Sequence, residues 1–410
     1  ITEWIKRDRN RPSIILWSLG NELQIREGWA GFEGTNDWGI TTYNIFNQLV
    51  KRWDNTRLTT VAMFPARAGA ITRHDKEFND YLVPPELACA TEVASFNYQS
   101  DKYDAYLKYK PDLILFQSEA ETSNLLQPYY NMDRKRTVGM AYWGSAEYWG
   151  ESNKWPKKGW NYSFFDHTMR PYPQAYLIKS AFMPEIPEVH IGVVDAAGAE
   201  SVSWNDVIVG RMALNECWNH TPGSRQSLFT FTNAHSVELL VNGQSMGVQE
   251  NDTTQANLRN MIYWKDVPYG NGGSVVAIAR DKSGKEVARH HIETAGKAVA
   301  LRIEAETPAD WKADGMDLQY INVTAIDKKG RPVWDYNKPL TLQMEGAAWL
   351  VALDNGDHYT DELFHGITSK RMYQGRMQII LRSTKTPSNV KLEISSADLK
   401  EKLSLKTSLK

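Results

Sequence analysis

The apolar residues change their repeat near Pro184, and a chain with two different repeats does not wrap around a single core. Before that point, apolar runs of strand length alternate with stretches of helical period, the pattern of a parallel β/α architecture. Ile14-Ile15-Leu16-Trp17-Ser18-Leu19 is the first such run, almost continuously apolar, as expected of a strand covered on both faces. Tyr43, Ile45, Phe46, Leu49, Val50 and Trp53 recur near i, i+3, i+4, which predicts a helix with one buried stripe, closed by Asp54-Asn55-Thr56-Arg57. Further strands are expected at 58–63, 92–96, 113–116 and 138–143, with a helix over about 101–110. Five strands are too few for a closed (β/α)8 barrel. If the first is the fourth of eight, the count fits a partial TIM (β/α)8 barrel of about strands 4–8, and about three βα units are expected before Ile1.

Beyond Pro184 the period becomes two and turn signals arrive every eight to twelve residues or so, the signature of β-sandwiches. Ser236 to Val241, then Asn242-Gly243, then Gln244 to Gly247 reads as a hairpin with a type I′ turn, because Asn-Gly tolerates the positive φ such turns need. Lys282-Ser283-Gly284-Lys285 marks a second turn, and the pattern restarts around Ala295 to Ala300. Strands at 318–326, 340–344 and 377–381 then define another sandwich. The expected organisation is therefore a partial barrel over 1–185, an immunoglobulin-like β-sandwich over 186–298 and a second over 299–410.

Lys and Arg number 47 against 49 Asp and Glu, so the chain offers no basic field for a phosphate backbone, and no nucleic-acid partner is expected. Cys89 and Cys217 lie far apart, in different expected domains, which leaves neither a disulfide framework nor a metal-ligand spacing. No apolar run approaches the roughly 20 residues of a membrane span, so membrane insertion is not expected, and Ile1-Thr2-Glu3-Trp4 reads as neither a signal peptide nor a natural start. With 15 Trp and 19 Tyr the chain is rich in rings that suit sugar faces as well as protein cores.

The segment that points to chemistry runs from Arg7 to Glu22, RDRNRPSIILWSLGNE. A buried strand ending in Gly20-Asn21-Glu22 puts an amide and a carboxylate at the C-terminal mouth of a barrel, where such folds hold their active sites. This string closely resembles the acid/base signature of glycoside hydrolase family 2, with Arg11 where the family usually has His, a departure before the strand and away from its C-terminal end. The resemblance implies that Glu22 is the proton donor and that Asn21 binds the sugar 2-hydroxyl. Asn97-Tyr98-Gln99, a helix, and then Leu113 to Glu119 resemble the family's stretch from its sixth strand to its nucleophile, which ends in Ser-Glu; this implies that Glu119 is the nucleophile. Glu121, on the same side of an extended strand, is the alternative. By the same resemblance Tyr98 hydrogen-bonds the nucleophile, and Trp143, in an eighth strand Gly139 to Gly144, lies against the sugar. Trp149, Trp155 and Trp160 are expected to pack, although one could shape a further subsite.

A retaining glycosidase needs its two carboxyl groups about 5–5.5 Å apart. The activity implied is that of a retaining, exo-acting β-glycosidase with a carbohydrate substrate and no cofactor, Glu22 being held protonated while Glu119 attacks. A β-galactosidase is expected first, with a β-glucuronidase or a β-mannosidase as alternatives. The two sandwiches also resemble the modules that follow the barrel in Bacteroidetes-type members, and this tail suggests a periplasmic or secreted protein. The rival from another class is a non-catalytic carbohydrate-binding or adhesion protein. The 410-residue piece alone is expected to be inactive or poorly folded while its full-length parent is an enzyme. A homo-oligomer stays open. No metal is expected: His74, His167 and His220 have no mutual spacing suited to zinc, and Asp354-Asn355-Gly356-Asp357 reads as a turn.

Overall fold

The computed structural model describes residues 1–22, 39–64, 84–122, 126–152, 155–195, 200–204 and 207–409. It separates into two compact units, one comprising 1–145, 200–211 and 254–259, the other 146–199, 212–253 and 260–410. His74 lies outside the described residues.

The first unit is built on five strands in chain order, β1 (Leu16–Ser18), β2 (Leu58–Met63), β3 (Val93–Asn97), β4 (Leu115–Ala120) and β5 (Thr137–Tyr142), every neighbouring pair parallel. Parallel neighbours need a crossover rather than a hairpin, and helices α1 (Thr2–Asp8), α2 (Ile40–Lys51), α3 (Glu86–Ala90) and α4 (Tyr103–Tyr109) alternate with the strands accordingly. This is the half-barrel that the alternation of repeats implied. Its core joins Trp17 and Leu19 to Val61, Met63, Ala94, Phe96 and Leu115 from the sheet and to Tyr43, Val50, Tyr103 and Tyr106 from the helices.

Central strands and edge strands differ as their neighbours dictate. All five residues of β3 are buried, as are all but the first of β2. The first strand is shorter than expected: β1 spans only Leu16–Ser18 at an edge of the described sheet, with Trp17 buried, while Ile15 falls before it and is 85% exposed. The α2 stripe is narrower than its spacing suggested, with Tyr43 and Val50 buried and Ile45 exposed.

Asp54, just past α2, is the polar knot of this unit. It accepts hydrogen bonds from Trp17 Nε1 (2.9 Å), from Thr56 N and Oγ1 (3.0 and 2.6 Å) and from Arg57 (2.7 Å). Arg57 in turn donates to the carbonyls of Ile14, Arg9 and Arg11, so a helix end is tied to the entry of β1. Arg11, paired with Asp8 at 3.1 Å, lies at the N-terminal end of that strand.

The second unit holds two sandwiches. One sheet has the order Leu214–Asn215, Val189–Val194, Arg225–Thr232, Met261–Pro268; it faces a sheet of Gln244–Glu250, Ser236–Val241, Ser274–Arg280 and Glu286–Glu293. Val189, Ile191, Leu228 and Trp264 of the first interleave with Val237, Leu239, Val275 and Ala277 of the second. The expected hairpin is present, with Asn242 at φ 51° and Gly243 at φ 80°. The C-terminal sandwich repeats the plan with sheets Ala300–Ala305, Leu318–Ile326, Arg376–Ser383, Ala348–Asp354 and Ser369–Arg371, Pro339–Glu345, Asn389–Ser396, Leu399–Lys406. Among the described residues no helix is long and apolar enough to cross a membrane.

One glycine of this last sandwich gives a direct test of backbone packing. Gly375 sits at φ 68°, and a Cβ there would lie 2.2 Å from the Val333 carbonyl oxygen. Gly375→Ala is expected to lower stability by at least about 1–2 kcal/mol, the left-handed penalty alone. The midpoint of chemical denaturation reads this; an unchanged midpoint would contradict the packing described.

Candidate active site

The C-terminal ends of β1, β3 and β4 carry the polar residues of the first unit that sequence reasoning selected. Beyond β1 the chain runs through Leu19 and Gly20 to Asn21 and Glu22; beyond β3 it passes from Asn97 to Tyr98; and Glu119 lies within β4 itself. In a parallel sheet all strands end on the same side, so the topology gathers these side chains although they are far apart in sequence.

Asn97 is the hub. It is fully buried, donates through Nδ2 to Asn21 Oδ1 (3.1 Å) and to Glu22 Oε1 (3.4 Å), and accepts from Ser118 Oγ at 2.6 Å through Oδ1. It is also the register partner of Glu119 across the β3 and β4 ladder. Sequence reasoning quoted Asn97 without giving it a task. The available signal was an amide closing the mostly apolar run of β3, since a buried amide must find partners for both of its ends.

Tyr98 reaches the same place from the next position. Its backbone N–H donates to Glu119 O at 2.8 Å and its phenol donates to Glu119 Oε2 at 2.7 Å, while its ring meets Phe64 edge-on at 5.6 Å. Glu22 and Glu119 are both buried, 9% and 8% exposed. Burying carboxylates costs stability unless hydrogen bonds compensate, and these two receive Asn97 and Tyr98. Glu22 and Tyr98 also sit at φ 51° and 57°, a left-handed conformation unfavourable to side-chain-bearing residues and one that clusters at functional sites. Each directly follows an asparagine.

Glu121 falls beyond the end of β4 and is half-buried. Trp143 follows β5 directly, half-buried, its N–H donating to Ala120 O at 3.0 Å, next to Glu119 in the chain. Of the three other tryptophans considered, Trp160 is a core residue at 2% exposed, whereas Trp149 and Trp155 are exposed.

A parallel half-barrel with two buried carboxylates and their hydrogen-bonding partners gathered at strand ends defines the class of barrel proteins whose sites lie on the C-terminal face. More narrowly, the chain carries domains of glycoside hydrolase family 2: residues 1–142 match the TIM barrel domain of that family, and 301–403 match its C-terminal domain 5. Residues 223–288 between them match a domain of unknown function (DUF4982). The resemblance carried by Arg7 to Glu22 is thus borne out.

Among individual proteins, the chain is 24% identical to the β-galactosidase BoGH2A of Bacteroides ovatus over 98% of its own length and 50% of that protein's. It is 26% identical to a β-glucuronidase of Formosa agariphila over 40% of its own length and 14% of that protein's. A crystal structure of a glycosyl hydrolase family 2 member from Bacteroides cellulosilyticus superposes with a TM-score of 0.79 at 25% identity, over 98% of this chain and 50% of the other. The chain therefore spans half the length of the first of these relatives and less of the second.

Proposed function

We propose that this chain supplies the catalytic carboxylates of a retaining β-glycosidase, with Glu22 as acid/base and Glu119 as nucleophile. The observation that carries the reading is the hydrogen-bonded link Glu22, Asn97, Ser118 with Tyr98 on Glu119, which joins the ends of three parallel strands. In the first step the Glu119 carboxylate attacks the anomeric carbon while Glu22, protonated, gives its proton to the departing glycosidic oxygen. In the second, Glu22 takes a proton from water, whose oxygen attacks the same carbon and breaks the ester to Glu119, so the configuration is retained. The Tyr98 phenol orients the Glu119 carboxylate and spreads its charge. Asn21, in the same network, is the candidate contact for the sugar 2-hydroxyl, and Trp143 the candidate platform for the ring. Glu119 is preferred to Glu121 because Tyr98 bonds it and β4 includes it.

Among sugars, β-galactosides come first on the likeness to BoGH2A, and β-glucuronides second on the likeness to the Formosa enzyme. The test is covalent trapping in the protein at its full natural length, using activated 2-deoxy-2-fluoro β-galactosyl and β-glucuronyl reagents followed by peptide mass spectrometry. One sugar mass on the peptide holding Glu119 is the expected result. Label on Glu121 would move the nucleophile. Efficient turnover with inversion of configuration would overturn the mechanism, and absence of both label and turnover would favour a sugar-binding role.

A further inference from the structure

A second group of buried ionisable residues lies wholly within the second unit and has no part in the mechanism above. Glu147, His167 and His358 each present one ligand atom to a common point, all within 4.8 Å of one another. Glu147 Oε2 is 3.0 Å from His358 Nε2 and 3.6 Å from His167 Nδ1. The Glu147, His167 and His358 side chains are 1%, 7% and 3% exposed. Ligands bonded to zinc at about 2.0–2.1 Å in a tetrahedron stand roughly 3.3 Å apart, between the two spacings seen here.

The proton positions sharpen the case. Asp354 Oδ1 lies 2.8 Å from His167 Nε2 and also accepts from Gly356 N at 3.0 Å. A carboxylate accepts only, so His167 Nε2 carries a proton; the carboxylates of Asp354 and Glu147 favour a second proton on Nδ1, and a metal bound there would take its place and use the Nδ1 lone pair. That nitrogen faces Glu147 and His358, and no hydrogen bond reaches it or either ring nitrogen of His358. His358 Nε2 is near Glu147 Oε2, yet it lacks the alignment a hydrogen bond requires. A carboxylate behind a histidine whose other nitrogen looks into a site is the outer-shell arrangement of metal-bound imidazoles. The other Glu147 oxygen is fixed by Tyr172 Oη at 2.8 Å.

The backbone holds these groups in place without a ligand. Glu147 N donates to Phe165 O, which brings the segment of His167 to Glu147, and Lys158 N donates to His358 O. Trp149 and Phe364, ring centroids 4.7 Å apart, stand beside His167.

We propose that Glu147, His167 and His358 form a binding site for a divalent transition metal of the zinc type, with Asp354 as the outer-shell partner of His167 and a fourth position left for water. This revises the expectation of no metal. Comparing His74, His167 and His220 missed it because its other members, Glu147 and His358, arrive from separate loops. The second cluster of this composition, His190, Glu216 and His290, is a poorer fit: His190 lies sandwiched between the Tyr176 and His290 rings, and His290 Nδ1 already accepts from Ile191 N. Nitrogen and carboxylate donors select Zn²⁺ or Co²⁺ over Mg²⁺ and Ca²⁺, which take all-oxygen shells.

The test is metal content of the full chain by mass spectrometry after dialysis against Zn²⁺ and then metal-free buffer, with Co²⁺ titration followed by its visible d–d bands. One tightly held equivalent and a low-symmetry Co²⁺ spectrum are expected. His358→Ala should abolish both, His290→Ala should abolish neither, and Asp354→Ala should raise the Zn²⁺ Kd about 10- to 100-fold. Circular dichroism checks that each variant is folded. Absence of bound Zn²⁺ and of a Co²⁺ spectrum in the unaltered chain would overturn the site, as would a spectrum unchanged by His358→Ala, and either would leave a protonated His167 between two carboxylates as the purpose of the cluster.

Discussion

Glu119→Gln is expected to lower kcat on the preferred aryl β-glycoside by about 10⁴–10⁶-fold, the scale on which enzymes lose turnover when a covalent nucleophile or a group acting with it is removed. The amide is nearly isosteric and can still accept from Tyr98, so the loss would report the missing attack and not a collapsed site. Glu22→Gln is expected to cost less, about 10²–10⁴-fold, because a leaving group of low pKa departs with little help from an acid. The difference should shrink as the leaving group becomes more basic. Azide added to Glu22→Ala should restore turnover and give a β-glycosyl azide, since the anion can enter where the carboxylate stood. Activity of Glu119→Gln within tenfold of the parent, with loss in Glu121→Gln, would transfer the nucleophile to Glu121.

Asp54→Ala is expected to be the most damaging single change to the first unit. It strips four hydrogen bonds from a buried carboxylate and leaves the Trp17 indole N–H, the Thr56 groups and the Arg57 guanidinium without that acceptor. Removing one partner of a buried ion pair costs about 3–5 kcal/mol. At roughly 2–4 °C per kcal/mol for a unit of this size, Tm should fall by about 6–20 °C. The dependence on pH follows from the same bonds. Burial pushes the Asp54 carboxyl up, but hydrogen bonds from Thr56, Trp17 and Arg57 outweigh it and hold it below the ordinary value of 3.8. A carboxyl more acidic when folded contributes stability above its unfolded pKa and loses it as pH falls from there towards the folded value. The drop in Tm below about pH 4 should therefore be shallower in Asp54→Ala than in the parent. Parallel pH curves for the two proteins, or a Tm within about 1 °C at pH 7, would remove Asp54 from this role.

Much of the layout was legible because it rests on local repeats. The strand predicted at 58–63 is β2, and the one predicted at 318–326 appears with those limits. A run of apolar residues in a parallel sheet is long enough to declare itself without its neighbours. The exceptions fall where neighbours decide the outcome. Ile15 looked like a buried strand position and is exposed because the strand begins only at Leu16, and the strand expected to end at Phe116 continues to Ala120, where Glu119 pairs with Asn97 across the ladder.

The chemistry divides the same way. The resemblance carried by the strings Arg7 to Glu22 and Asn97 to Glu119 was enough to nominate Asn21, Glu22, Tyr98 and Glu119, and the parallel sheet explains why they emerge on one side. The role of Asn97 was not visible, since its value lies in bonds to residues 75 and 21 positions away. The Glu147, His167 and His358 cluster is more remote still, assembled from loops whose approach depends on backbone bonds such as Glu147 to Phe165 and Lys158 to His358. Periodicity and short motifs are properties of neighbouring residues, so the sequence by itself determined the half-barrel and the sandwiches, and its family resemblance nominated the two carboxylates. Hydrogen-bond partners and ligand sets are properties of distances in space, so only the tertiary structure decided which buried polar groups meet and what they can hold.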